Sequence, residues 1–253
     1  MSFTVVIPAR YASTRFPGKP LVDVNGKPMI QHVFERSIAS GASAVYIATD
    51  DKRICARCNQ FCDSVVMTSS EHENGTSRIA EVIETKNIPD DEIIINVQGD
   101  EPFIPPENIV QLADLLSNND EASMSTLSFP IDDAADIFNP NVVKVVTDKH
   151  DRALYFSRSP IPFARDFIKG NELTVTIDEL PFTYMRHIGI YGSRAGFVKT
   201  YKALPPTPLS VHESLEQLRV LEHGFAILIA SANVAPPHGI DTPADLEKLL
   251  SSL

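Results

Sequence analysis

The sequence predicts an α/β fold, in which helices cover both faces of a mostly parallel sheet that carries an inserted antiparallel, β-rich piece. Three features of the 253-residue chain indicate this class. Short apolar runs alternate with helical patterns over the first half, the alternation breaks from about Met124 to Tyr191, and helical patterns then return. Such alternation is typical of βαβ units and parallel strands. The length suits one large domain, so we expect a single domain over residues 1–253 with the insertion at about 124–191.

The first half contains four predicted buried strands, each a short apolar run rich in β-branched residues. They are Phe3–Ile7, Ala44–Thr49, Ser64–Met67 and Glu92–Val97. Helical spacing of apolar residues predicts a helix after each of these strands. The helices are expected from Pro28 to Gly41, over Asp51–Cys62, over Ser77–Thr85, and from Pro105-Pro106 through Leu116.

The region from Met124 to Tyr191 is predicted to be antiparallel, because no helix long enough for a crossover separates its apolar runs. These runs are Val142–Thr147, Ala153–Ser157 and Met185–Tyr191. Further along, we expect helices at Ser193–Tyr201 and Val211–Glu222 and a buried strand at Phe225–Ala230. Thr242 is expected to cap a final helix that begins at Pro243.

Charge and cysteine content exclude several function classes. The chain has 33 acidic and 22 basic side chains, a net charge of −11, which argues against a general nucleic-acid binder. We expect neither a signal peptide nor a membrane span, since the longest apolar stretch, near Phe225–Ala230, is too short. Cys55, Cys58 and Cys62 form no disulfide framework and share one face of a predicted helix. We interpret them as small hydrophobes in a cytoplasmic protein.

The loop after the first strand is the first sign of chemistry. It places Arg10, Arg15 and Lys19 within ten residues, with Ser13 as a further donor and Gly18 allowing close backbone approach. Ligands of open α/β sheets bind beyond the carboxyl ends of the strands, where this loop lies. Arginine and lysine side chains bind phosphate oxygens. The loop therefore predicts a polyphosphate site, although it matches neither the GxxxxGK[ST] nor the GxGxxG motif.

Two carboxylates at the ends of predicted elements suggest a divalent metal. Asp100 follows the strand Glu92–Val97 directly, and Asp241 lies just before the final helix. Both positions also suit ordinary turns or helix caps. Mg²⁺ prefers a few carboxylates together with substrate phosphates, so convergence of the two on a triphosphate would make a Mg²⁺ site.

Six motifs, in chain order, give the sequence a family resemblance. They are IPARYASTRFPGKPL, NVQGDEP, YFSRSPIP, RHIGIY, LEQLRVL and GIDTPADL. With them, the chain resembles the CMP-Kdo synthetase family, the 3-deoxy-manno-octulosonate (Kdo) cytidylyltransferases of Gram-negative bacteria, from Ser2 to about Leu249. The resemblance implies a three-layer, Rossmann-like fold of the nucleotide-diphospho-sugar transferase type and a homodimer. It also implies the reaction of CTP with Kdo to give CMP-Kdo and pyrophosphate, which activates Kdo for lipopolysaccharide biosynthesis.

The same resemblance implies roles for individual residues. For the CTP site the residues are Arg10, Ser13, Arg15 and Lys19 at the triphosphate and Thr68, Ser69, His72 and Gly75 near the cytosine and ribose. For the sugar pocket they are Arg78, Gln98, Glu101, Arg158, His187, Tyr191, Glu216 and Gln217. Asp100 and Asp241 would bind the catalytic Mg²⁺, and with Arg10 and Lys19 they make up the implied catalytic set.

Some positions depart from the family pattern, and some alternatives remain open. Asn74 stands where a serine is usual, Ser77 where an acidic residue is usual, and Phe163 where a tryptophan or tyrosine is usual. These departures affect the rim of the sugar pocket.

One alternative function is that of a cytidylyltransferase for the 8-amino analogue of Kdo or for another sugar acid such as sialic acid. The other is a non-catalytic nucleotide-binding module with the same fold.

Overall fold

A computed structural model describes residues 2–12, 16–237, 239–240 and 242–250, with side chains as far as residue 247. Candidate residues Ser13, Arg15 and Asp241 lie outside the described residues.

Most of the strands in the described residues belong to one mixed sheet. In chain order the strands are β1 (Phe3–Ala9), β2 (Asp23–Val24), β3 (Lys27–Pro28), β4 (Ala44–Thr49), β5 (Val65–Met67), β6 (Ile93–Asn96), β7 (Met124–Pro130), β8 (Lys144–Thr147), β9 (Ala153–Ser157), β10 (Ile168–Lys169), β11 (Glu172–Leu173), β12 (Met185–Arg194) and β13 (Ile227–Ser231). The sheet order is β13-β7-β12-β6-β1-β4-β5, with β8 pairing to β12 and β9 to β8. β2–β3 and β10–β11 form separate two-stranded sheets.

Helices follow most of the parallel strands, as the alternating pattern predicts. They are α1 (Met29–Ala39), α2 (Lys52–Cys58), α3 (Gly75–Thr85), α4 (Pro106–Ser117), α5 (Ala134–Phe138), α6 (Ala195–Ala203), α7 (Pro208–His212), α8 (Gln217–Glu222) and α9 (Pro243–Leu250). Thr242 caps α9, because its hydroxyl accepts from the Asp245 N–H at 3.3 Å and its N–H donates to the Asp245 carboxylate at 2.8 Å. Within the described residues, no helix combines the length and the hydropathy needed to cross a bilayer.

Successive side chains of the buried strands point to opposite faces of the sheet, and helices pack on both faces, which gives three layers. In β1, Val5 and Ile7 pack with α1, α2 and α4, whereas Val6 faces the opposite layer with α3 and α6. Cys58 and Cys62 are buried in the first of these layers, which confirms their interpretation as small hydrophobes. Cys55 is half-buried, and Cys62 lies beyond the end of α2, so the predicted helix is shorter than Asp51–Cys62. Burial raises the pKa of the Cys58 thiol to about 12. The three-layer, mostly parallel α/β fold is confirmed.

The region at 124–191 is antiparallel, but its first and last strands are part of the main sheet. β12 runs antiparallel between β6 and β7, while β6, β1, β4 and β5 are mutually parallel and β13 is parallel to β7. β8 and β9 extend from this sheet as an antiparallel pair. Antiparallel pairing at this point carries β12 past the end of β6, which brings further side chains to the carboxyl edge of the parallel strands.

The helix predicted at Val211–Glu222 is instead two short helices, α7 and α8. Ser214 between them has a φ of +52°, in the left-handed region that ends a helix. Side-chain contacts hold this turn: the Arg158 guanidinium donates to the carbonyls of Glu213 and Ser214, at 2.7 and 3.3 Å. Tertiary hydrogen bonds therefore override the helical spacing of Leu215, Leu218 and Leu221.

Candidate active site

The carboxyl edge of the sheet collects most of the candidate side chains. Arg10 follows β1, Thr68 follows β5, and Gln98 to Glu101 follow β6 by one residue. β12 reaches the same edge from the opposite direction: its Tyr191 pairs with Asn96 at the end of β6. His187 lies earlier on β12, opposite Ser128 of β7. The parallel strand ends and the antiparallel β12 thus surround one site.

Lys19 and Asp100 form the clearest contact in this site. A hydrogen bond from the Gly18 N–H to the Tyr11 carbonyl, at 2.9 Å, joins the two ends of the loop before Lys19. Gly18 has a φ of +72°, and a Cβ there would lie 3.1 Å from the Tyr11 ring, so the loop needs glycine. Lys19 Nζ then donates to Asp100 Oδ2 at 2.6 Å. This ion pair joins the predicted polyphosphate loop to the predicted metal carboxylate.

Asp100 is the one proposed Mg²⁺ ligand that lies within the described residues. Its side chain keeps 31% of its surface exposed, and its carbonyl accepts from the Ile240 N–H at 3.0 Å. A Cβ on Gly239 would lie 2.9 Å from Glu101 Oε1, so glycine permits this close approach. Nowhere in the described ranges do three or more His, Cys, Asp or Glu side chains form a metal-binding group. The predicted donor set is two carboxylates, the small number that Mg²⁺ takes beside phosphate oxygens.

The candidate residues of the nucleotide side lie on the loop from Thr68 to Asn74 and on the first turns of α3. Arg78, predicted for the sugar pocket, is fully buried and bonds this loop instead: it donates to Thr68 Oγ1 and, at 3.1 Å, to Asp50 Oδ2. Arg10 donates to the His72 carbonyl at 2.5 Å. Burial lowers the pKa of the Arg10 guanidinium, and neighbouring Arg78 lowers it further.

Asn74 and Ser77, which depart from the family pattern, bond each other at the start of α3. Asn74 caps α3, because its Oδ1 accepts from the Ser77 N–H at 2.9 Å, and the Ser77 hydroxyl donates to the Asn74 carbonyl at 3.0 Å. Gly75 begins the helix, where a Cβ would lie 3.3 Å from the Pro8 side chain. Glycine at this position lets the helix start against the end of β1.

Of the residues predicted for the sugar pocket, Arg78, Tyr191 and Gln217 are buried, and the other five are half-buried. Glu216 Oε2 accepts from the Thr76 hydroxyl at 3.4 Å. Burial raises the pKa of the Glu216 carboxyl, against the opposing effects of this hydrogen bond and of the Arg219 and Arg10 guanidinium groups. Burial raises the pKa of the Tyr191 phenol well above its usual range, and the nearby Glu216 carboxylate adds to the effect.

His187 packs between aromatic rings beside these groups. Its ring centroid is 5.0 Å from that of Phe156 and 5.4 Å from that of Tyr191, and its Nε2 is 3.0 Å from Thr126 Oγ1. Burial lowers the pKa of the His187 imidazole to about 3, which makes it neutral near pH 7. Gln217, only 2% exposed, keeps a buried Nε2 with no hydrogen-bond partner among the described residues.

Arg158 is engaged with the chain itself. Its guanidinium donates to the carbonyls of Pro140, Glu213 and Ser214, at 2.8, 2.7 and 3.3 Å. In this structure it holds the α7–α8 turn, and its role in the sugar pocket stays a prediction. Gln98 and Glu101 form the turn after β6, where the Glu101 N–H donates to the Gln98 carbonyl at 3.2 Å.

A cleft of about 330 Å³ opens beside the loop from Thr68 to Asn74. It lies between that loop and the segment that joins α6 to α7. Its lining residues are Glu71, His72, Glu73, Asn74, Ser77, Tyr201, Lys202, Leu204, Pro206 and Arg219. The cleft gives the His72 side of the site an opening to solvent.

The sequence reasoning missed two acidic residues of this site, Asp50 and Glu81. Asp50 pairs with the buried Arg78, and it directly follows β4, a position at the carboxyl end of a strand that already marks it. Glu81 accepts hydrogen bonds from Ser69 and His72. Glu81 is three residues from Arg78, so both lie on one face of a helix, and this spacing is the sequence feature that could have predicted Glu81 as a site residue.

Comparisons with known proteins identify the family of this chain. A family model described as cytidylyltransferase matches residues 4–229. The 3-deoxy-manno-octulosonate cytidylyltransferase of Idiomarina loihiensis is 58% identical, over 98% of this chain and 97% of that protein. The enzyme of the same name from Aliivibrio fischeri is 55% identical, over 100% and 99%.

Solved structures show the same likeness. A CMP:2-keto-3-deoxy-manno-octonic acid synthetase complexed with CTP aligns with a TM-score of 0.88 and 40% identity, over 100% of this chain and 98% of that one. A 4-diphosphocytidyl-2C-methyl-D-erythritol synthase, at 13% identity and a TM-score of 0.63, shares the fold over 99% and 98%. By its family model and its full-length relatives, this chain belongs to the 3-deoxy-manno-octulosonate cytidylyltransferase family.

Proposed function

We propose that the protein transfers CMP from CTP to the anomeric hydroxyl of Kdo, giving CMP-Kdo and pyrophosphate. The observation that carries the proposal is the 2.6 Å contact between Lys19 and Asp100. It joins a cationic loop suited to a triphosphate with a carboxylate suited to a divalent metal, at the edge where α/β sheets bind ligands. Full-length relatives of that name support the substrate assignment.

On the nucleotide side, the cationic residues bind and orient the triphosphate. The forked guanidinium of Arg10 suits paired phosphate oxygens, and the ammonium of Lys19 acts as a point charge. Ser13 and Arg15 belong to the same proposed set. These groups stabilise the negative charge that grows on pyrophosphate as it leaves. Because Lys19 binds Asp100 in the free protein, triphosphate binding exchanges that carboxylate for a phosphate partner.

On the sugar side, the desolvated polar groups orient Kdo. Kdo carries a carboxylate and several hydroxyls, so its pocket needs donors for the acid and both donors and acceptors for the alcohols. Neutral His187, Tyr191, the buried Gln217 and Glu216 supply such groups around β12 and α8. Arg78, Gln98, Glu101 and Arg158 complete the proposed pocket. Burial of these groups also keeps water from competing for the phosphorus.

Asp100 and Asp241 are the proposed ligands of a Mg²⁺ ion. When bound, Mg²⁺ would supply positive charge that stabilises the developing negative charge on the phosphate oxygens. In the reaction, the Kdo 2-hydroxyl oxygen forms a bond to the α-phosphorus while the bond to the pyrophosphate oxygen breaks. The hydroxyl proton passes to water. The protein holds the two reactants in line, and binding geometry of this kind can account for a large part of a rate enhancement.

Asp100→Asn tests the metal assignment. The amide keeps the size of the side chain and removes its charge, so we expect turnover to fall at least about a hundredfold while the fold is kept. Asp90→Asn is the matched control, because Asp90 also pairs with a lysine, Lys199, at 2.6 Å but on the surface. Pyrophosphate release from CTP, with and without Kdo and Mg²⁺, measures both variants. Turnover of the Asp100 variant at the level of the unmodified protein would contradict the assignment.

The homodimer and the cytoplasmic location are part of the same proposal. Leu154 and Phe163 are 61% and 64% exposed near the β8–β9 extension, which suits a contact with a second copy. Three free thiols suit a reducing compartment. Light scattering on the eluting protein should give twice the chain mass of 27.8 kDa, and a monomer mass would contradict the dimer.

A further inference from the structure

Glu81 connects α3 to the loop that carries the candidate nucleotide residues. Its Oε2 accepts from the Ser69 N–H at 2.9 Å and also contacts His72 Nε2. The two partners are three residues apart, so one carboxylate oxygen fixes both ends of the short segment between them. Although burial raises the pKa of the Glu81 carboxyl, the hydrogen bonds from His72 and Ser69 outweigh this effect and leave it lowered.

The same loop is bonded to the candidate triphosphate residue. The carbonyl of His72 accepts from the Arg10 guanidinium at 2.5 Å. Glu81 therefore fixes the side chain of His72 while Arg10 bonds the backbone of the same residue. A shift of this loop would move a nucleoside contact and a phosphate contact together.

The helix that carries Glu81 is a rigid base for these contacts. The buried face of α3 includes Ile79, Val82 and Ile83, which pack into the core. One turn before Glu81, the fully buried Arg78 bonds Thr68 Oγ1. Arg78 and Glu81 thus hold the loop at positions 68, 69 and 72 from one helix face.

From this geometry we infer that Glu81 is a positioning residue of the nucleotide subsite. It acts through Ser69, His72 and the His72-bound Arg10, and orders them for a cytidine triphosphate before it binds. The inference rests on the proposed function for the identity of the nucleotide. Glu84 on the same helix makes a different contact, a surface ion pair with Lys202 at 3.1 Å, and provides a matched control.

Direct binding of CTP to the full chain tests the inference. In calorimetric titrations with Mg²⁺, we expect Glu81→Ala to raise the Kd for CTP about tenfold, or about 1.4 kcal/mol. Glu81→Gln retains an acceptor oxygen and should raise it about threefold. Glu84→Ala should stay within about twofold of the unmodified protein. A Kd for Glu81→Ala within twofold of the unmodified value would overturn the inference.

Steady-state kinetics separate positioning from a general loss of structure. For Glu81→Gln, which leaves the packing unchanged, we expect the KM for CTP to rise while the KM for Kdo stays within about twofold. A parallel rise of both KM values would overturn the inference.

A double variant tests whether Glu81 acts through His72. If it does, the increases in the Kd for CTP caused by Glu81→Ala and His72→Ala should not multiply in the double variant, and fully multiplicative effects would contradict this route.

The proposed function and this inference fail in different ways. Absence of Kdo-dependent pyrophosphate release by the unmodified protein contradicts the proposed function. The CTP titrations need no sugar and no turnover, so they decide the role of Glu81 in either case.

Discussion

Burial shifts the pKa values of individual residues at this site in ways that sequence patterns do not report. The positions of Arg10 and Asp100 follow from the sequence, because each is within four residues of the end of a recognisable strand, and Lys19 lies in the loop that begins at Arg10. The lowered pKa of His187, which packs against Phe156 and Tyr191, and the raised pKa of Glu216 come from burial by residues distant in the sequence. A sequence pattern gives the order of side chains along a strand but not the groups that later desolvate them.

His187 should make the stability of the protein depend on pH. Its folded pKa of about 3 is below the reference value of 6.5, so the unfolded chain binds more protons between these values. The free energy of unfolding therefore falls as the pH falls from 6.5 towards 3. The glutamine in His187→Gln cannot be protonated. We therefore expect the melting temperature of this variant to fall less between pH 7 and pH 4.5 than that of the unmodified protein. Parallel melting curves for the two proteins would show that His187 carries no such effect.

At the scale of elements, the break between α7 and α8 shows where helical periodicity misleads. The leucine spacing over 211–222 predicts one helix, but the Arg158 side chain bonds the carbonyls of residues 213 and 214 and stabilises a turn there. The turn positions Glu216 and Gln217 at the start of α8. Helices and strands with strong patterns, such as α4 and β4, were predictable, whereas a break imposed by a side chain 56 residues away was not.

The left-handed backbone at Ser214 gives a test of this break. Ser214→Gly removes the steric cost of a positive φ, so the unfolding free energy should stay equal or rise by up to about 1 kcal/mol. Ser214→Val places a β-branched side chain in that region and should lower it by about 1–2 kcal/mol. Urea unfolding of the two variants measures the difference. Equal stability of the glycine and valine variants would mean that the turn is not constrained as described.

At the scale of the whole molecule, the position of β12 determines which side chains complete the site at the carboxyl edge of the parallel strands. The sequence predicts this strand and the strand pair at β8 and β9, but it misses β7 (Met124–Pro130), and apolar alternation does not specify pairing partners. In the structure β12 lies between β6 and β7, so the predicted insertion is joined to the main sheet. Gly192 permits this packing, because a Cβ there would overlap Ser125 Oγ and lie 3.1 Å from Ile95 and Leu116.

Gly192→Ala should therefore disturb the central sheet. The added methyl group meets buried atoms from β6, β7 and α4, and we expect a loss of about 1–3 kcal/mol in unfolding free energy. Gly189→Ala is the matched control on the same strand, since no heavy atom of the described residues lies within 4 Å of a Cβ there. Thermal unfolding compares the two. Equal melting temperatures would contradict the close packing of β12 between its neighbours.

Detection of the product tests the central claim most directly. Phosphorus NMR of the unmodified protein with CTP, Kdo and Mg²⁺ should show a new phosphodiester signal that grows together with pyrophosphate, and neither signal should grow when Kdo is omitted. Pyrophosphate release without Kdo, or no phosphodiester when both substrates are present, would contradict the assignment of this site to CMP transfer.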